Sequence, residues 1–416
     1  MKKTILCAIM TLCLMSSSCD AQTRRRGTPK GNDEPPQLAE PVNSIVVKPT
    51  VNVYIENSGS MDGYVKGVTE FESAVYNYLS DIKISEITDT LNLYYINSQI
   101  ISYAQGADAD VIEDFINKLE PNEFKRRGGN RGTSDIADVI KSILRETKEN
   151  NISILVTDGI FSPGRGKDAE SYLVNQQIGI KNAVAEHLKM QPNTGVILYQ
   201  LLSKFDGTYY NKVDDRIPWK GLRPYYIWVF GQANNLAKLR EEVPEEKFNG
   251  SGVQRMLTFV PGDQRVNYGV VKSGMMSKKS TKTDIIGLEP NRKGDVSFSV
   301  NVDFRNLLLD ADYLLDSDNY EVPNYSLQVK PNVNNENYTH VLTFKTDKMS
   351  RKNGELLIRL KMQKPNWEDV NDNEGSRCVE GKTYGVKYQV DGVYQAFANT
   401  TKTNCYTDIK INVKFK

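Results

Sequence analysis

The amino-acid sequence predicts a doubly wound, mostly parallel α/β sheet followed by an all-β antiparallel sandwich. Up to about residue 243, short apolar runs of strand length alternate with stretches of helical period. After about residue 291 the period changes to two, in short runs separated by Asn, Asp and Gly. At 416 residues the chain is also longer than one ordinary domain.

Val51, Val53 and Ile55 mark the first strand. A helix follows, opened by a capping box of Thr69 with Glu72, and it carries Phe71, Val75, Leu79 and Ile82 on one face. Leu91 to Asn97 reads as the second strand and Ile100 to Tyr103 as a third. Asp110 and Glu113 open a helix bearing Ile112, Phe115, Ile116 and Leu119. The clearest helix, Ser134 to Lys148, aligns Ile136, Val139, Ile140, Ile143 and Leu144 in one stripe. Ile152 to Thr157 is almost continuously apolar, as a parallel strand covered on both faces should be. A long helical region, strands Val196 to Leu202 and Tyr225 to Phe230, and helix Asn234 to Glu242 complete this part.

Residues 244–290 hold no firm period and stay unassigned; they finish the first domain or bridge to the next. Beyond them the alternating positions are Val296 to Phe304, Leu356 to Met362, the trio Val386, Tyr388 and Val390, and Ile409 to Phe415. These read as sandwich strands.

Composition narrows the function. Lys+Arg number 53 against 52 Asp+Glu, a net charge of +1, so no bulk field exists to recruit nucleic acid. No internal stretch reaches the roughly 18 apolar residues of a spanning helix. Lys2 and Lys3 precede an apolar run from Thr4 to Met15, the pattern of an export signal. Ser16, Ser17, Ser18 and Cys19 then resemble a bacterial lipoprotein signal, which implies a lipid anchor on Cys19; cleavage after Ala21 is the alternative. Either implies export; with Cys19 lipidated, the protein is expected in the cell envelope with the lipid as its only membrane contact. The expected organisation is a signal at 1–19, a polar linker at 20–43, an α/β domain at 44–243, the segment 244–290, and a β-sandwich at 291–416. Outside the signal and anchor only Cys378 and Cys405 remain, and in an exported chain they predict a disulfide. Two buried thiols are the other reading.

Three short segments carry the candidate chemistry: Glu56-Asn57-Ser58-Gly59-Ser60-Met61, Gly132-Thr133-Ser134-Asp135, and Thr157-Asp158-Gly159. Each falls at or after the carboxyl end of a predicted strand, where open parallel sheets bind ligands. Glu56, Ser58, Ser60, Thr133 and Asp158 are all oxygen donors. Such a set suits a hard divalent cation, Mg2+ first, with Mn2+ and Ca2+ as alternatives, and disfavours zinc or copper. Hydroxyl ligands add little negative charge, so a bound ion would attract an acidic group from a protein partner.

The order of these segments resembles the von Willebrand factor A family and its metal-ion-dependent adhesion site, over about 45–243. That family's pattern is Asp-x-Ser-x-Ser, then a Thr, then an Asp; Ser58, Ser60, Thr133 and Asp158 match it by position. The resemblance implies that the hydroxyls are direct ligands and that the aspartate often acts through water. Glu56 departs from the pattern, standing where the family has Asp. Its extra methylene makes a bridged contact direct, or crowds the ion.

Asp62 and Asp135 lie beside these loops, either supporting them or starting a turn or helix. The loop Lys125 to Gly132 is basic, and its Arg131 is placed to steer an acidic partner toward the ion. That loop lacks the Gly-Lys-Ser/Thr ending of a phosphate loop. His187 and His340 adjoin no nucleophile motif, and no Gly-x-Ser-x-Gly elbow occurs. The sequence therefore reads as a binding protein rather than an enzyme. A structural envelope protein with a silent metal site, acting through its β domain, is the alternative.

Overall fold

The computed structural model describes residues 47–132, 135–346 and 353–416. The predicted signal, the linker, Cys19 and Thr133 lie outside the described residues. In chain order, the first part comprises β1 (Thr50–Glu56), α1 (Glu70–Ile84), β2 (Thr90–Ile96), β3 (Ile100–Ala104), α2 (Ala109–Asn117) and α3 (Pro121–Arg126). Next come α4 (Ile136–Glu146), β4 (Asn151–Thr157), α5 (Ala169–Met190), β5 (Thr194–Tyr210), β6 (Arg216–Gln232), α6 (Ala233–Glu242) and β7 (Val253–Phe259). Then follow β8 (Asn267–Val271), β9 (Asp284–Leu288), β10 (Val296–Asp303), α7 (Ala311–Leu315), β11 (Tyr320–Glu321), β12 (Ser326–Pro331) and β13 (His340–Thr346). The last are β14 (Gly354–Lys361), β15 (Asn371–Asp372), β16 (Thr383–Tyr384), α8 (Val386–Ala398) and β17 (Cys405–Phe415).

Seven strands form one sheet in the order β3-β2-β1-β4-β6-β5-β7. Strand β1 pairs in parallel with both β2 and β4, whereas β3, β6 and β7 run antiparallel to their neighbours. The sheet is therefore mixed, not mostly parallel as the strand–helix alternation suggests: the long β5–β6 hairpin and the edge strands β3 and β7 add antiparallel pairs around a parallel centre. Alternation along β1 sends Val51, Val53 and Ile55 to one core, with α1 and α2, and Tyr54 to the other, with α4 and α5. Helices thus cover both faces.

The two predicted strands after α5 are the apolar halves of a much longer hairpin. β5 and β6 each span 17 residues and pair from Thr194↔Gln232 to Tyr210↔Arg216. Thr157, the last residue of β4, pairs with Tyr226 of β6. Everything in the hairpin from Leu201 to Tyr225 consequently projects past the carboxyl end of β4.

The capping box of α1 is formed. Thr69 Oγ1 accepts from the Glu72 backbone N–H at 3.4 Å, and the Thr69 backbone N–H donates to the Glu72 carboxyl. Burial pushes that carboxyl up to about 7 from an ordinary 4.5, with the Thr69 bond opposing. A raised folded value means that stability falls as pH climbs between those two values, because the unfolded chain ionises first. Glu72→Gln is expected to flatten this decline, by roughly 1 kcal/mol after discounting for solvent screening of a half-exposed group. Urea midpoints of both proteins at pH 4 and pH 8 measure it; equal wild-type and variant slopes would refute it.

Two four-stranded sheets, β12-β13-β10-β8 and β11-β14-β17-β9, form the β part. Their alternating residues, among them Val296, Phe298, Val300, Leu356, Ile358, Ile409 and Ile411, are buried in one cluster. The unassigned segment contributes to both parts: β7 closes an edge of the large sheet, and β8 and β9 add one strand to each smaller sheet.

Two further expectations are corrected. Val386, Tyr388 and Val390 belong to α8, not to a strand. Residues 362–404 leave the β part between β14 and β17 and return to the α/β part. There Val386, Val390, Val393 and Phe397 join the core shared by α4 and α5. The second correction concerns the cysteines. Cys378 and Cys405 are free buried thiols. Cys378 lies in the returning segment, where its sulfur accepts from Arg223 Nη1 at 3.0 Å. Cys405 opens β17 and donates to the Thr403 carbonyl at 3.4 Å. Each sits in its own part of the fold, so no bridge forms.

Candidate metal-binding crevice

Parallel pairing of β1 with β4 sets Glu56 beside the end of β4. Glu56 is 1% exposed, and its Oε2 accepts a short hydrogen bond from the Thr157 hydroxyl. The chain then turns into a short 3-10 stretch, Ser60–Gly63. The Ser58 and Ser60 hydroxyls lie 3.0 Å apart. Across the crevice, Asp158 is wholly buried. Its Oδ1 accepts from the Ile160 N–H at 3.0 Å, and the Ser60 hydroxyl also bonds to this carboxyl. Its Oδ2 has no hydrogen-bond partner among the described residues. Burial raises the Asp158 carboxyl above its ordinary range, with the Arg223 charge pulling the other way. Gly159 holds φ at +62°, and a Cβ there would meet the Tyr226 ring at 3.0 Å, so both conformation and space call for glycine.

Ser58, Ser60 and Asp158 are thus brought together, with Glu56 engaged beside them by Thr157. The loop before Thr133 is tied to the first loop, since the Gly59 N–H donates to the Arg131 carbonyl at 2.9 Å. Arg131 itself acts as a clamp. Its Nε donates to the Asn57 carbonyl at 2.7 Å, and its Nη2 reaches the Ser58 carbonyl at 3.1 Å and pairs closely with Asp62. Asp62 and Arg131 therefore shape the loop. Asp135 is the N-cap of α4, accepting from the Asp138 N–H at 3.1 Å and from Gln176 Nε2 at 2.7 Å. It serves the helix start.

One residue of the crevice carries no signal in the sequence. Arg223, on the hairpin, is 0% exposed. Its Nε donates to Tyr64 Oη at 3.4 Å, its Nη1 reaches Cys378, and its guanidinium stands 4.7 Å from the Tyr209 ring centroid and 5.5 Å from that of Phe205. Nη2 has no partner among the described residues. Burial works against this charge, while Tyr64, Cys378 and Asp158 favour it. A single Arg ahead of an apolar strand gives no hint of such a position.

The hairpin also roofs the first loop. Gly207 approaches Gly63 so closely that a Cβ would stand 2.6 Å from the Gly63 Cα, and a Cβ on Gly59 would lie 3.1 Å from Tyr210 Oη.

No group of three or more His, Cys, Asp or Glu side chains suited to a metal occurs among the described residues. A cation here would rest on hydroxyls together with Asp158. Two hydroxyl oxygens 3.0 Å apart and a buried, partnerless carboxylate oxygen are donors of the kind a small hard cation takes. No protein-family model, curated protein or solved structure matches this chain.

Proposed function

We propose that the α/β part is a von Willebrand factor A-like binding module, carried on an exported protein anchored by lipid at Cys19. In this reading Ser58, Ser60 and Asp158 hold a divalent cation, Mg2+ foremost. Thr133 completes the set, and Glu56 steadies the end of β4 through Thr157. The ion draws in an acidic group of a protein partner; no reaction is catalysed. The observation that carries this is Asp158 Oδ2, buried without a partner beside the paired serines. No helix among the described residues is long and apolar enough to cross a membrane.

An ion at about 100 times its dissociation constant adds roughly 2.7 kcal/mol to a protein that binds it only when folded. Mg2+ is expected to raise the urea stability of the mature chain by that amount, and Asp158→Ala to abolish the gain. A gain that survives in Asp158→Ala, or none in the wild type, refutes the site. A second reading, a structural envelope protein with a silent metal site, is favoured by Arg223. Its guanidinium already supplies positive charge near Asp158. It predicts partner capture that a chelator leaves untouched.

A further inference from the structure

We propose that Arg223 sets the cation affinity of the crevice: its buried guanidinium flanks Asp158 as an internal positive charge, and an ion binds only against it. This rests on the metal-binding reading above and adds a regulator to it.

The placement follows from strand register. Thr157 pairs with Tyr226 in the last register pair of β4 and β6, and Arg223, three residues before Tyr226 on β6, lies beyond that pair on the same side of the sheet end as Asp158. Ile160, Tyr209 and Cys378 share a small buried cluster, and Arg223 contacts both of the latter two. The guanidinium is wholly enclosed, yet among the described residues no carboxylate hydrogen-bonds to it; a phenol, a thiol and two ring faces surround it. A charge so enclosed is costly unless an opposite charge offsets it. Asp158 is the one carboxylate among the groups that act on it most strongly.

Asp158 Oδ2 and Arg223 Nη2 are both among the buried polar atoms without hydrogen-bond partners in the described residues. A divalent cation on Asp158 would satisfy the first and repel the owner of the second. The guanidinium is not free to swing into solvent, because it is held by Tyr64 on the first loop and by Cys378 on the returning segment. Relief of that repulsion must come from movement of the hairpin that bears Arg223. The hairpin in turn roofs the serine loop through Gly207 and Gly63. Cation loading and hairpin position are thereby coupled.

The test is Mn2+ titration of the mature chain, with free Mn2+ followed by electron paramagnetic resonance, in the wild type, Arg223→Met and Arg223→Lys. Arg223→Met is expected to bind Mn2+ at least about tenfold tighter, equivalent to about 1.4 kcal/mol. Arg223→Lys, which keeps the charge, should stay within about threefold of the wild type on the same scale. Equal or weaker binding by a folded Arg223→Met, with the wild type binding normally, overturns the proposal and leaves the metal-binding reading intact. Binding by Arg223→Met alone supports the proposal and refutes the partner-recruiting ion in the natural protein. Binding by neither overturns both. Should Arg223→Met fail to fold, hydrogen exchange of the wild type decides: saturating Mn2+ is expected to speed exchange across 204–222, and unchanged or slowed exchange there overturns the coupling.

Discussion

Gly392→Val is expected to destabilise the α/β part by about 3 kcal/mol, although position 392 falls in the stretch that the sequence assigned to the β domain. Gly392 lies where α8 crosses α5. A Cβ there would stand 2.8 Å from the Gln177 backbone carbonyl and 3.1 Å from the Ile180 side chain. The nearer obstacle is helix backbone, which cannot swing aside as a side-chain tip can, so the two helices must separate. Separation exposes Val390, Val393 and Phe397, each at most 1% exposed. It also strains the bond from Gln389 Nε2 to the Gly159 carbonyl, 2.6 Å long, at the third segment of the crevice. Urea unfolding with hydrogen exchange measures the loss. Faster exchange confined to β10, β13 and β14, with β4 and α5 protected as before, would show that α8 does not belong to the α/β core.

Phe205→Ala is the second large effect, expected at about 3–4 kcal/mol. Phe205 is 1% exposed on the projecting half of the hairpin. Its ring meets Tyr64 edge-on at 4.9 Å between centroids, fills the space beside Gly63, and lies under the Arg223 guanidinium. Truncation removes an aromatic pair, a cation–π contact and the packing that presses hairpin to loop. The cavity would open directly over the serine loop. Exchange is expected to rise at 60–64 and 204–222 while β1 and β4 keep their protection. A loss below about 1 kcal/mol would mean that the hairpin is held elsewhere.

Much of the candidate crevice was legible because it is built from local signals. Ser58 and Ser60 follow a short apolar strand, and Asp158 follows another. Once β1 and β4 are neighbours, those segments must meet at one edge of the sheet. The clamp by Arg131 was not legible. Its spacing suggests a flexible, partner-facing charge, and only the fold supplies the carbonyls of Asn57 and Ser58 that it grips. Asp135 was readable both ways, and in the structure it caps α4 by accepting from the Asp138 backbone N–H.

By itself the sequence determined the strands and amphipathic helices up to about residue 243, the alternating runs of β10, β14 and β17, and the caps, since each depends on residues within a turn or two of one another. Only tertiary structure decided α8, because Val386 and Val390 suit a period of two as well as a helical one, and the core of α5 selects the helix. It likewise decided the free thiols and the enclosure of Arg223. The atoms that Arg223 touches, Tyr64 Oη and Cys378 Sγ, lie 159 and 155 positions away along the chain. No local period encodes contacts of that span; they exist only once the sheet has brought its strands into order.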